Sequence, residues 1–513
     1  MSNRGIVYLV GAGPGDPGLL TLRGAECLAK ADVVLYDYLA SPQLLRHAPA
    51  WAELVCLGRH GSRRHGGGRL MSQDEVNALL VGHASDGKTV VRLKGGDPGV
   101  FGRLAEEAAA LTIAGIAFEV VPGITTATAA GTYAGITVTD REHASCVAFV
   151  TGREQAGKER GDSLDYAALA RFPGTLVFYM GVTTAPEWSQ ALMAGGKPRD
   201  TPVAIVRHCS LASQQTWICR LDEVAERLAP RAVRPPVVVI VGQVAQQPSL
   251  TEWFANRPLF GQSVLVTRPE HQADTMGHQL VELGAELLTQ PAIAIAPPAD
   301  WAAVDRTIER ICTEGPAEFD WLVFSSRNGV EYFLNRLREL GHDWRVLAGV
   351  RLAAIGRATS EALAERDLVV DCQPAEYRAE ALAAELAPRA AGQGFLLLRA
   401  SRGREVLADS LQAAGGRVEQ VVVYESRDVA VANADIADRL AEGTIDWVTV
   451  TSSAIARSLA QVFGKSLATA KLAAISPLTG EVLTELGYPP ATVATEYTSE
   501  GVVAAILAAS GKG

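Results

Sequence analysis

Short apolar runs recur along the 513-residue chain, most closed by Gly, Pro or Asp and followed by a stretch of helical period. In the first half, runs at 5–10, 32–37, 88–94, 117–121, 146–151, 175–180, 203–207 and 236–242 predict strands. Between them, apolar residues at i, i+3 and i+4 predict helices, among them 19–30, 73–84 and 103–114. Strand and helix alternate, which is the pattern of α/β proteins.

The second half states one such pattern twice. "FDWLVFSSRNGVEYF" (319–333) is echoed by "IDWVTVTSSAIARSL" (445–459), and "LAAIGRATSEALAE" (352–365) by "LAAISPLTGEVLTE" (472–485). "AEYRAEALAAEL" (375–386) returns as "TEYTSEGVVAAI" (495–506), and "VLVTR" (264–268) as "FLLLR" (395–399). Two copies of one α/β unit explain this, with a cleft between them as the expected ligand site. The seam between the halves is "AQQPSLTEWFANRPLFG", punctuated by Pro248, Pro258 and Gly261. Its Trp253 and Phe254 suggest halves that touch.

Composition narrows the class. Hydrophobic residues make up 48% and charged residues 20%, as in soluble globular proteins. At about 100–200 residues per domain, three or four domains are expected. No apolar run follows a basic start, so no signal peptide is expected, and no apolar run reaches the roughly 18 residues of a membrane span. Seven scattered cysteines without a C-x-x-C pair suggest reduced thiols in a cytoplasmic protein and no metal site. The first 255 residues carry 24 basic and 24 acidic groups, and the rest carry 23 and 33. A net charge of −10 argues against a nucleic-acid partner.

The chemistry starts at "GAGPGD", where Gly11, Gly13 and Gly15 follow the first strand. A dinucleotide loop needs backbone amides aimed at a pyrophosphate. Here Pro14 has no N–H and Asp16 adds negative charge. The loop suits a cationic or neutral ligand, or is simply a tight turn. A second loop, Gly95-Gly96-Asp97-Pro98, also follows a strand, and its glycines would let a ligand approach the main chain. Asp97 could accept from hydroxyls or an ammonium group. Thr125 and Thr126 open a helix and could serve only as its cap.

Together "GAGPGD", "LYDYL", "MSQDEVN", "VRLKGGDP", "VFGR", "EVVPGIT", "VFYMG" and "PVAIV" resemble the tetrapyrrole methyltransferases, specifically the uroporphyrinogen-III C-methyltransferases, over about residues 5–246. The resemblance implies an α/β tetrapyrrole methylase fold of two domains, with S-adenosylmethionine in the trough between them and S-adenosylhomocysteine as product. It implies a homodimer, no metal, and two methyl transfers to uroporphyrinogen III giving precorrin-2, on the route to siroheme or cobalamin. By the same resemblance the cofactor contacts are Pro14, Gly95, Gly96, Asp97, Val100, Thr125, Thr126, Met180 and Cys209. Met180 and Val100 read equally well as core, and Cys209 replaces a smaller residue, so only its main chain need matter. Asp37 matches the family's base, although a strand-end carboxylate often only satisfies a turn. Arg59 stands where the family has an acidic lysine; a guanidinium is a poor proton donor and better suited to clamping carboxylates. The surrounding "GRHGSRRHGGGRL" reads as a solvated loop or as a lid of arginines for an acidic substrate.

From 258 onward, "VLVTRP", "FSSRNGV", "AAIGRAT", "VVVYES", "TVTSSA" and "AAISPLTGEVL" resemble the uroporphyrinogen-III synthases. That family closes hydroxymethylbilane to uroporphyrinogen III without a cofactor. The implied substrate contacts are Arg268, Ser325, Ser326, Asn328, Arg357, Thr359, Arg399, Ser452, Ser453 and Thr479, with Tyr424 assisting loss of hydroxide. Ser and Thr at helix starts are equally read as caps. Arg268 and Arg399 occupy matching places in the two copies. The expected units are 1–246, divided near 120; a linker, 247–261; and 262–513, one domain from 262–297 plus 428–513 and the other from 298–427. The leading reading is thus a bifunctional enzyme of tetrapyrrole biosynthesis. The alternative keeps the methyltransferase and makes the second half a non-catalytic tetrapyrrole-binding module. Methylation of some other target is a third and weaker reading.

Overall fold

Four five-stranded sheets account for the strands of the computed structural model, which describes residues 5–58, 71–154, 163–229, 233–246, 253–268, 270–314, 318–403, 405–429 and 431–511. The first sheet holds β1 (Ile6–Gly11), β2 (Val33–Tyr36), β3 (Glu53–Cys56), β4 (Thr89–Lys94) and β5 (Ala117–Val121). They are all parallel, in the order β3-β2-β4-β1-β5. Parallel strands covered on both faces must be apolar throughout. β1, β2 and β4 are accordingly almost wholly buried.

The second sheet holds β6 (Val147–Thr151), β7 (Thr175–Tyr179), β8 (Pro202–Arg207), β9 (Gln215–Arg220) and β10 (Val237–Val241), ordered β6-β7-β10-β8-β9. Strands β10, β8 and β9 run antiparallel to their neighbours. Two of these ten strands, β3 and β9, have no counterpart in the apolar runs of the sequence. Both are edge strands with mostly exposed residues, and each has only three consecutive apolar side chains, Leu54–Cys56 and Trp217–Cys219. The helix expected over 19–30 is shorter. Asp16 caps a 3-10 turn at Pro17–Leu19, and Thr21 then caps the helix Leu22–Leu28.

The second half contains two sheets with one design. One is ordered β12-β11-β18-β19-β20, from β11 (Ser263–Val266), β12 (Glu286–Thr289), β18 (Trp447–Val450), β19 (Lys471–Ala474) and β20 (Thr492–Val493). The other is ordered β13-β17-β16-β14-β15, from β13 (Ile293–Ala296), β14 (Trp321–Phe324), β15 (Arg351–Ala354), β16 (Gly394–Ala400) and β17 (Arg417–Asp428). Matching β12, β11, β18, β19 to β17, β16, β14, β15 superposes the sequence repeats in the same spatial order. The order along the chain differs, so the copies are related by circular permutation. Trp447 and Trp321 fill equivalent, fully buried places.

The chain crosses between these sheets twice, and the crossings lie side by side. Val429 N donates to Ala292 O, and Asn433 N donates to Gln290 Oε1. Strand β13 pairs antiparallel with β17, so the segment 293–296 belongs with the middle of the chain.

The halves meet through the linker. Phe254 is buried in the core around Tyr133, Val238 and Ile240 of the first half. Five residues on, Leu259 is buried with Val264, Met276 and Trp447 of the second. Gln43 Nε2 also donates to Leu287 O on the edge strand β12.

Candidate active sites

Strand ends β1, β4 and β5 bring three loops together. Gly13 and Gly96 form a reciprocal main-chain bridge, N to O at 3.2 and 2.8 Å. A Cβ on Gly11 would lie 2.5 Å from Gly123 Cα, so side chains are excluded where the loops touch. Asp97 closes the knot. Its Oδ1 accepts from Gly99 N and its Oδ2 from Gly123 N, so this carboxylate holds loops together. Asp16 is engaged likewise, accepting from Gly18 N and from the Tyr133 hydroxyl. The sequence suggested both acids as ligand groups; folding uses them first as staples.

The second sheet adds the other wall. Thr125 precedes the helix Thr126–Tyr133, but its side chain makes no cap. Its hydroxyl instead bonds the Tyr179 hydroxyl at 2.6 Å, and Tyr179 OH also accepts from Ala127 N at 2.7 Å. Thr126 Oγ1 is the nearest atom to the open side of Gly96. Pro14 stands between Gly13 and Gly15, and the open side of Gly15 faces the carbonyl of Cys209 and the side chain of Leu211. Burial pushes the Cys209 thiol up to about 12, leaving it neutral. Val100 is half-buried in the turn after Asp97. Met180 follows Tyr179 and is 49% exposed, so core packing does not account for it. The segments that carry the nine residues expected to bind cofactor thus adjoin one another at these strand ends.

Backbone strain is concentrated there. Phe101, Arg103, Met180, His208 and Ser210 have φ between 51° and 63°, unfavourable for side chains other than glycine. Phe101 packs on Tyr179, with ring centroids 5.1 Å apart. Phe101 and Leu39 are each 43% exposed although apolar.

Asp37 ends β2 beside the Gly95 loop. Arg92 donates to its Oδ1 at 2.6 Å and, through Nε, to Glu107 at 3.1 Å. Glu107 is wholly buried and also receives Lys94 at 2.7 Å. Burial, reinforced by Arg92, lowers the affinity of Lys94 for its proton. The sequence reading missed this network. Its trace is that Arg92 and Lys94 lie two apart in an apolar strand, hence on one inward face that demands a buried carboxylate. Arg59 and its arginine-rich loop lie outside the described residues.

In the second half the predicted residues fall into two groups. On the sheet of β14–β17, the Tyr424 and Ser326 hydroxyls are 2.9 Å apart, and Asn328 also bonds Tyr424. Tyr424 is buried, which raises its pKa, and its ring stacks on Tyr332 at 5.8 Å. Ser325 donates to Leu398 O. On the other sheet, Arg268 donates to Thr451 Oγ1 at 3.1 Å and Ser499 Oγ at 2.7 Å. Burial lowers its proton affinity, and Glu500 opposes this weakly.

The matched arginines are not equivalent. Arg399 is neutralised by Glu405 at 2.6 Å and also held by Gln420 and Gly403 O. Arg268 has no carboxylate within ion-pair distance among the described residues. Arg357 is exposed and paired with Glu361. Ser326 and Ser452 cap their helices by accepting from Gly329 N and Ile455 N, and Ser453 opens the helix behind Ser452. Thr359 and Thr479 are buried, the latter against Ser476. Capping, one of the two readings open from sequence, therefore describes both serines.

Among the described residues no helix is long and apolar enough to cross a membrane, and no His, Cys, Asp and Glu cluster could hold a metal.

Comparison with known proteins matches residues 6–225 to the tetrapyrrole (corrin/porphyrin) methylases and 274–504 to uroporphyrinogen-III synthase. A porphyrin biosynthesis protein HemD of Ruminiclostridium josui is 33% identical over 88% of this chain and 87% of its own. A uroporphyrinogen-III C-methyltransferase of Bacillus subtilis is 37% identical over 72% and 74%. An S-adenosyl-L-methionine-dependent uroporphyrinogen III methyltransferase of Methanosarcina barkeri is 46% identical over 47% of this chain and 92% of that protein. The solved structure of a Thermus thermophilus uroporphyrin-III C-methyl transferase with S-adenosyl homocysteine is 40% identical, covering 47% of this chain and 99% of that one at a TM-score of 0.40. With the touching glycine loops in one half and the permuted pair of sheets in the other, the chain belongs to the tetrapyrrole methylases through its first half and to the uroporphyrinogen-III synthases through its second, a fused enzyme of tetrapyrrole biosynthesis.

Proposed function

We propose that the second half closes hydroxymethylbilane to uroporphyrinogen III and that the first half methylates this product twice, giving precorrin-2. The observation that carries the methyltransferase reading is the Gly13–Gly96 bridge. The Gly13 amide, which a dinucleotide loop would aim at a pyrophosphate, is spent on the Gly96 carbonyl, and the Gly96 amide on that of Gly13. What remains is a main-chain cradle without room for side chains at Gly11, walled by apolar Leu39, Phe101 and Met180. That surface fits S-adenosylmethionine, which supplies a methyl group on a positively charged sulfur. Pro14, Gly95, Gly96, Asp97, Val100, Thr125, Thr126, Met180 and the Cys209 main chain would hold it.

Transfer to a pyrrole carbon depends mainly on alignment. Asp37 takes the ring proton as the pyrrole is restored. Arg92 occupies its Oδ1 and fixes the carboxylate, leaving Oδ2 to receive the proton. In the second half, the Tyr424 hydroxyl assists loss of the substrate's hydroxyl, with Ser326 and Asn328 orienting it. Arg268 receives a substrate carboxylate.

We also propose a homodimer formed through the first half, and the chain division already set out, with the change of domain moved to the crossing at 290–292. One assay tests the function. Hydroxymethylbilane is supplied with and without S-adenosylmethionine, and products are weighed. The expected result is ring-III uroporphyrinogen without the cofactor and a gain of two methyl groups with it. Absence of ring closure would leave the second half as a binding module. Asp37→Asn should slow methylation at least about a hundredfold, the scale of lost base catalysis, and leave ring closure intact.

A further inference from the structure

Four residues of the first half close a hydrogen-bonded ring around the glycine turn. Tyr133 OH donates to Asp16 Oδ2 at 2.9 Å, and Asp16 N donates to Ser210 Oγ at 2.9 Å. Ser210 N donates to Gln214 Oε1 at 2.9 Å, and Gln214 Nε2 returns to Tyr133 O at 3.0 Å. Tyr133, Ser210 and Gln214 are all buried. The ring joins the turn after β1 to two elements of the second sheet, the helix ending at Tyr133 and the strained loop after β8. With three of its four members buried, such a ring fixes them, and opening it leaves buried polar groups unpaired.

The ring is braced from outside. Trp253 and Phe254 pack on Tyr133, with ring centroids at 5.1 and 4.7 Å, and Trp253 Nε1 donates to Thr132 O. Arg257 lies over both linker rings and donates to Val281 O in the second half. Leu259 N donates to Leu283 O close by.

We propose that Tyr133 is a positioning residue for the turn 13–16, and that Trp253 and Phe254 tie this turn to the docked second half, so that linker docking sets cofactor affinity. This rests on the reading of the trough as an S-adenosylmethionine site. Nothing in the ring touches the reacting atoms; it acts by holding Pro14, Gly15 and the Cys209 carbonyl in register.

The test is calorimetric titration of the full-length protein with adenosylhomocysteine. Tyr133→Phe keeps the ring packing and removes the hydroxyl. Its Kd should rise about tenfold, the scale of a lost hydrogen bond to a carboxylate. Its rate of hydroxymethylbilane closure should match wild type. Trp253→Ala should raise Kd about threefold, and Trp253→Phe should restore most of that. Tyr133→Phe combined with Ser210→Ala should cost much less than the two effects multiplied, because either change opens the same ring. A wild-type Kd in Tyr133→Phe, with only a lowered melting temperature, would overturn the proposal. No heat from the wild-type protein would instead remove the cofactor reading beneath it.

Discussion

The two halves build their sites from different materials. In the first, five residues other than glycine hold positive φ around the trough, and three glycine-bearing loops touch main chain to main chain. In the second, the remaining such residue among those described is Asp367, past the end of the helix Arg357–Ala364. There the candidate groups are side chains: hydroxyls at helix starts, a buried tyrosine and Arg268, which has no carboxylate at ion-pair distance among the described residues. Each strained residue costs about 1–3 kcal/mol and persists only when its surroundings enforce it. A site of that kind is shaped before its ligand arrives. A site of hydroxyls on caps can adapt, and its single contacts are more replaceable.

This contrast can be broken by experiment. The largest effect belongs to the backbone. Gly11→Ala places a methyl group against Gly123 Cα and must push the loops apart. Methyl transfer should fall more than about a hundredfold, as a displacement of reacting groups by about 1 Å costs. Ring closure should continue. Methylation near wild type in purified Gly11→Ala would show that the trough is not preformed. Next come the matched arginines. Arg268→Gln should raise KM for hydroxymethylbilane about tenfold, the scale of one charged hydrogen bond. Arg399→Gln should change it less than about twofold, because Glu405 already neutralises that group. Equal effects would mean that the copies share the charge of the substrate. The smallest change is Ser452→Ala. Loss of the cap should lower unfolding stability by about 1 kcal/mol, measured in urea, with kcat little altered. A large drop in kcat would instead make Ser452 a substrate contact.

Much of this was legible in sequence, and what was hidden has physical causes. Inner strands announce themselves as apolar runs because both faces are covered; the edges β3 and β9 have only three consecutive apolar residues each, whereas β5, an edge as exposed, has four apolar residues in five. The repeat in the second half was visible as text, yet text could not show that Arg268 and Arg399 would find different partners. That depends on Glu405, six residues beyond one arginine. Asp97 and Asp16 illustrate a further difficulty. A carboxylate beside glycines suggests a ligand, but main-chain amides brought in by distant loops reach it first. Tyr133 had no local signature, since its partners are 117 and 81 residues away.

The paired crossings at 290–292 and 429–433 have a topological result. The sheet of β11, β12 and β18–β20 is stitched from two remote stretches, while its twin is one continuous insert. A proteolytic nick in either crossing would leave the lobes tethered by the other, and a stop codon after the insert would strand two of the five strands without their neighbours.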